Sequence, residues 1–288
     1  MSVENDLQEP LLERLSASPE ADTASPSKKR KRAAEDLATK TTKKAKSKKL
    51  KAIEDEELDL DAGINHAFSR MDNQLLADYI AQRTRKYESD LSSIELEDKY
   101  ITGASLPINL RCSSNGYKAN AIEDTTSWNK SRTLENLPAF LEKFAGNSTK
   151  LWSASKKNGA PHTIIVTAAG LRAADIARVV RKFQTKDATV AKLFAKHIKI
   201  KDSIKFLKST RTGIAVGTPT RLKDLLEDGA LQVDRLERIV VDVSHIDQKK
   251  RGILEMKETQ VPLTVWLGQK EFRERYGAEA GGVQLLFY

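Results

Sequence analysis

The sequence predicts an α/β domain, a mostly parallel sheet flanked by helices, preceded by a disordered basic N-terminal tail. Three observations carry this. Between residues 211 and 247, an apolar run (Ile214, Ala215, Val216) precedes a helix-start signal and a leucine face, and a second run (Ile239, Val240, Val241) ends at Asp242. Strand, helix and strand in that order make a βαβ unit, because parallel strands need a long crossover. A second strand-to-helix pair is written at 161–183, where Ile164, Ile165 and Val166 precede AAGLRAADIARVVRKF. Residues 1–62 are instead poor in aromatics and rich in Lys, Glu, Asp, Ser and Ala, the composition of a chain that cannot bury enough apolar surface to fold.

The 288 residues carry a net charge of +9, which favours a polyanionic partner. One cysteine, Cys112, excludes an internal disulfide and fits a reducing compartment. No apolar run approaches the roughly 18 residues of a membrane span, so no membrane partner is expected. The first 27 residues lack a basic leader with an apolar run, and no secretory signal is expected.

Within the tail, 12 Lys or Arg stand against 2 acids between residues 28 and 51. They form two clusters, Lys28, Lys29, Arg30, Lys31 and Arg32, then Lys43, Lys44, Lys46, Lys48 and Lys49, around a ten-residue spacer. That spacing resembles a bipartite nuclear localisation signal. A loose RNA arm and a merely solvated tail are the alternatives, since lysines neutralise phosphates without a fold. An acidic run at 53–61 is placed to screen the arm.

Residues 63–100 read as a helical segment. Phe68, Met71, Leu75, Leu76, Tyr79 and Ile80 recur at helical spacing, with Asp72 as a cap, and Ser92 with Glu95 fits a capping box. It serves either to pack against the domain or to dock a partner. The domain itself is assigned to 101–288. Its first part is the least legible. TLENLPAFLEKF at 133–144 is amphipathic, with its helix starting near Pro138. In the 161–183 pair, Leu171, Ile176, Val179, Val180 and Phe183 are expected to face the core. KLFAKHIKIKDSIKFLK at 192–208 is basic with interleaved apolar residues, either a charged amphipathic face or an aid in holding RNA. In the central unit, Thr218 is placed to cap, Pro219 sits at the first helical position, and Gly229 marks the stop. VPLTVWLG at 261–268 and VQLLFY at 283–288 read as two further strands.

The motifs of this unit carry a resemblance. GTPTRL resembles the Thr-Pro-Gly-Arg motif of DEAD-box RNA helicases, and VVDVSH stands where that family has its Asp-Glu-Ala-Asp box. The resemblance implies a single RecA-like lobe. It also implies an RNA contact at Thr218, Pro219 and Arg221, a chemistry that suits a helix N-terminus, the alternative being a plain helix start; in TAAGLRA only Leu171 keeps the register of that family's RNA-touching motif, so Gly170 and Arg172 either serve a phosphate or belong to an ordinary βα turn. The helicase chemistry is not expected. None of the 14 glycines precedes a lysine, so GxxxxGK[ST] is missing. Asp242 matches the magnesium-shell aspartate, but Val243 replaces the glutamate that positions water, and Ser244 and His245 replace the last two letters. No catalytic residue, cofactor or metal site is expected, and the chain to Tyr288 leaves no room for a second lobe. The basic arm, LLADYIAQRTRKYESDLSSIELEDKYI, KLFAKHIKI, VGTPTRL and the terminal LLFY together resemble the Cms-one family, subunits of the U-three-snoRNA-containing 90S pre-ribosomal complex. That resemblance implies a nuclear, nucleolar protein of early small-subunit assembly, with pre-rRNA or snoRNA and assembly proteins as partners. The alternative is a protein–protein scaffold without RNA contact.

Overall fold

A computed structural model describes residues 57–101, 121–195, 198–278 and 281–288. Both basic clusters of the tail, Cys112 and His197 lie outside these residues. Residues Ile53–Tyr288 form one compact unit.

Five parallel strands make the central sheet. They are β3 (Thr163–Val166), β4 (Thr189–Leu193), β5 (Thr212–Gly217), β6 (Arg238–Val241) and β7 (Gln284–Phe287), in the order β4-β5-β3-β6-β7. A small antiparallel pair, β1 (Leu58–Asp59) and β2 (Ile64–Asn65), stands apart from the sheet. Every residue of β3, β5 and β6 is buried, which is why these strands read as continuous apolar runs rather than alternating ones. Successive residues still point to opposite faces. Ile164, Val166, Ala215, Ile239 and Val241 join one core, while Ile165, Ile214, Val216 and Val240 join the other.

The helices divide between the two faces. Those of the sequence up to residue 99 are α1 (Ala67–Arg70), α2 (Asn73–Tyr87) and α3 (Ser93–Lys99). They are followed by α4 (Leu137–Phe144), α5 (Gly170–Val179), α6 (Ile200–Ser209), α7 (Pro219–Glu227), α8 (Lys257–Leu267) and α9 (Lys270–Arg273). Leu76 and Ile80 of α2, Leu222 and Leu225 of α7, and Leu263 and Trp266 of α8 cover the first face. Phe140 and Leu141 of α4, with Ala173 and Ile176 of α5, cover the second. The helix caps match the local chemistry. The Asp72 carboxylate accepts from Leu75 N at 2.8 Å, and Ser92 with Glu95 closes a capping box. Gly229 follows α7 at φ +74°, a conformation that favours glycine.

Three expectations are corrected. Residues 261–267 are not a strand but most of α8. Gln260, Leu263, Thr264 and Leu267 are buried at i, i+3, i+4 and i+7, a helical stripe hidden by β-prone letters and by Pro262 inside the helix. Beside β6, opposite β3, lies β7, the strand read at the C-terminal end. Leu171 does not face the core: it lies in the first turn of α5 and is 64% exposed. Thr218 occupies the N-cap position with an extended backbone, but its side chain makes no cap hydrogen bond.

Candidate functional site

Three strand ends meet where ligands of open α/β sheets usually bind. Thr167 follows β3, Thr218 follows β5 and Asp242 follows β6. Thr167 N donates to Gly217 O at 3.1 Å, and Asp242 N donates to Val166 O at 2.9 Å, so the three ends are tied edge to edge. Helices α5 and α7 both start here, on neighbouring strands. Gly170 and Pro219 are their first residues, and neither N-cap side chain occupies the free N–H groups.

Asp242 is the centre of a buried node. Its Oδ2 accepts from Thr167 Oγ1 at 2.8 Å and from Arg172 Nε at 3.0 Å, and its Oδ1 accepts from Arg172 Nη2 at 3.2 Å. Burial works against the Arg172 charge, but the Asp242 carboxylate outweighs it and holds that guanidinium above its ordinary pKa. Burial, with Arg172 adding to it, pushes His245 below the ordinary histidine range. Val243 is fully buried, and its N–H donates to Tyr288 O at 2.8 Å. Ser244 N donates to the same oxygen at 2.9 Å, and Ser244 O accepts from Asn65 N at 2.7 Å. The segment 242–245 therefore stitches β6 to the end of β7 and to β2. Both Asp242 oxygens are occupied by an arginine, and its neighbour is apolar, so the node assembles no acid–base pair.

Arg221 is also turned inward. It is 8% exposed; Nη1 and Nη2 both donate to Ile198 O at 3.1 Å, and Nη1 reaches Ser203 Oγ at 3.3 Å. It braces α7 against α6 and the loop before it. Of the five residues expected to meet RNA, Gly170, Thr218 and Pro219 stand at helix starts, while Arg172 and Arg221 spend their guanidinium groups on protein partners. The segment GNSTK at 146–150, which has P-loop letters without the P-loop spacing, lies at the opposite, amino end of the strands, where Lys150 Nζ pairs with Glu237 at 3.1 Å beside the start of β6. Among the described residues, no three His, Cys, Asp or Glu side chains gather as a metal centre, and no helix is long and apolar enough to cross a membrane.

Sequence reasoning missed a polar cleft of about 290 Å³ at the ends of β6 and β7, walled by residues of the 126–132 loop, Arg70 and Ser244. The signal was the run TTSWNKSRT, polar and cationic around one tryptophan.

The family model described as "CMS1: U3-containing 90S pre-ribosomal complex subunit" matches residues 15–288. Protein CMS1 of Chaetomium thermophilum is 55% identical over 249 residues, 86% of this chain and 93% of that protein. Protein cms1 of Schizosaccharomyces pombe is 30% identical over 199 residues, 69% of this chain and 64% of that one. Protein CMSS1 of Homo sapiens is 31% identical over 123 residues, 43% of this chain and 44% of that one. With the match running through the whole α/β unit, the chain belongs to the CMS1 family of U3-containing 90S pre-ribosomal complex subunits.

Proposed function

We propose that the chain is a non-catalytic subunit of the nucleolar 90S pre-ribosome that holds pre-rRNA or snoRNA together with assembly proteins. The family match over residues 15–288 carries this reading. Two features support the RNA half. The uncapped starts of α5 and α7 follow the ends of neighbouring strands, β3 and β5, and helix starts attract phosphate through free N–H groups and the helix dipole. Lys199 and Lys201 are exposed at the start of α6, the helix that follows the neighbouring strand β4. The Arg172–Asp242 pair supports the non-catalytic half, because it occupies the carboxylate that a helicase would turn to a metal. The resemblance to a helicase lobe then describes ancestry rather than chemistry. The tail clusters act in nuclear import.

A scaffold without RNA contact is the second reading, favoured by the inward turn of Arg172 and Arg221. Crosslinking of the tagged protein in cells, with sequencing of the attached RNA, separates the two. Discrete peaks on pre-rRNA or a snoRNA, weakened in the Lys199→Glu/Lys201→Glu variant, are expected. Crosslinks mapping only to residues 28–51, or none, would leave the scaffold. Arg221→Glu is a poor test, because it also breaks the brace to Ile198.

A further inference from the structure

Arg132 is a buried cation without an ion-pair partner among the described residues. It is 2% exposed, and its guanidinium donates to neutral oxygens: Phe287 O at 2.8 Å from Nη1 and Thr125 Oγ1 at 2.9 Å from Nη2. Its Nε has no partner, and among the described residues no carboxylate forms an ion pair with it. Burial pushes its pKa down to about 10, so it stays charged at neutral pH. A buried, unbalanced charge is costly, and the usual remedy is an ion of opposite sign.

The cleft beside it has the composition that such an ion requires. None of its lining residues is Asp or Glu, while Arg70, Lys130, Arg132 and His66 are among them. Arg70 is paired with Glu57 and His66 lies 3.9 Å from Asp59, while Lys130, 5.9 Å from the centre of the Trp128 ring, and Arg132 have no ion pair among the described residues. Two more walls carry orphaned polar atoms. Ser244 Oγ and Trp128 Nε1 are buried without partners, in residues 0% and 7% exposed. Arg132 and Ser244 both line the cleft and reach the end of β7 from its two edges, Arg132 at Phe287 O and the Ser244 N–H at Tyr288 O. The acid whose charge reaches Arg132, Asp124, is exposed and accepts from Thr126 N at 2.8 Å.

We propose that this cleft is a phosphate-binding site, in which Lys130, Arg132 and Ser244 hold one phosphate group, either the terminal phosphate of a mononucleotide or a backbone phosphate of RNA. Donors in a cleft that no carboxylate lines select an anion, and the planar fork of a guanidinium matches the oxygens of a phosphate better than it matches a spherical ion. A volume of about 290 Å³ admits the phosphate with an attached sugar.

Thermal unfolding of the full chain tests the site, in sodium phosphate against sodium chloride of equal ionic strength, and with AMP or a 12-nucleotide RNA added in chloride. A rise in Tm of about 2–4 °C is expected at saturating ligand, lost in Lys130→Ala and in Ser244→Ala. Ser244 Oγ has no partner to lose, and Lys130 is exposed, with the face of the Trp128 ring as its neighbour. Arg132→Gln adds a third reading if it folds. A rise with phosphate and AMP alone assigns a terminal phosphate; a rise with RNA that Lys130→Ala abolishes assigns the backbone, even though the basic tail binds RNA elsewhere. No rise with any of the three overturns the proposal. So does a rise unchanged in both variants, which would be the general stabilisation that phosphate gives by exclusion from protein surfaces.

Discussion

A buried carboxylate is stable only when its charge and lone pairs are answered, and Asp242 has both answers in Arg172 and Thr167. Removing one partner strands the other. Arg172→Met is therefore expected to lower stability by roughly 3 kcal/mol, and Asp242→Asn by a similar amount. The Arg172→Met/Asp242→Asn double variant should recover much of the loss, which a denaturant double-mutant cycle would reveal. His162 gives a pH signature. It lies just before β3, and burial, with Arg238 adding to it, holds its pKa down to about 4 against an ordinary 6.5. Below pH 6.5 the unfolded chain takes up a proton that the folded chain refuses. Stability is thus complete above about 6.5 and falls as pH drops toward 4, by about 3 kcal/mol in total from this residue. Urea denaturation between pH 7 and pH 4 should show a shallower acid decline in His162→Gln than in the parent.

At the scale of elements, the glycine of GTPTRL has a packing reason for its identity. A Cβ on Gly217 would lie 2.5 Å from Leu193 O and 2.9 Å from Leu222, where β4, β5 and α7 crowd together. Gly217→Ala should then cost about 1–3 kcal/mol by overpacking, read as a lower denaturant midpoint. Helix α2 depends on its cap. Asp72→Ala removes the bond to Leu75 N and is expected to cost about 1 kcal/mol. The anchoring of α2 is tertiary. Gln260 Nε2 donates to Thr84 Oγ1 at 2.8 Å, and Tyr79 Oη donates to Glu255 Oε1 at 2.7 Å, so this face of the helix is already committed to α8 and the loop before it. A partner docking on α2 would meet its opposite side, where Leu75 is 52% exposed.

For the whole molecule, charge decides how strongly RNA is held. Replacing the ten Lys and Arg of the two tail clusters with Gln removes ten positive charges from a chain of net +9. Nuclear import should be abolished, as fluorescence of a tagged chain would show. The slope of log affinity for single-stranded RNA against log salt should flatten, by about 0.7 for each phosphate no longer neutralised. Binding that survives this change and still falls with Lys199→Glu/Lys201→Glu belongs to the sheet edge.

The sequence alone determined the βαβ logic. Runs such as Ile239, Val240 and Val241 suit burial on both faces, Pro219 after Thr218 suits the first position of a helix, and Gly229 tolerates the turn that ends it. Asp72, Ser92 and Glu95 were legible for the same reason: capping is local chemistry between residues three apart. Pairings between distant residues were not legible. Only the tertiary structure decided that Arg172 faces Asp242, 70 residues away, and that Arg221 serves Ile198 rather than solvent. It also decided that 261–267 is a helix, because the burial of Trp266 depends on neighbours that the local pattern does not contain. The Arg132 cleft belongs to the same class. Its walls come from residues 64–70, 126–132 and 244, and no window of sequence holds all three.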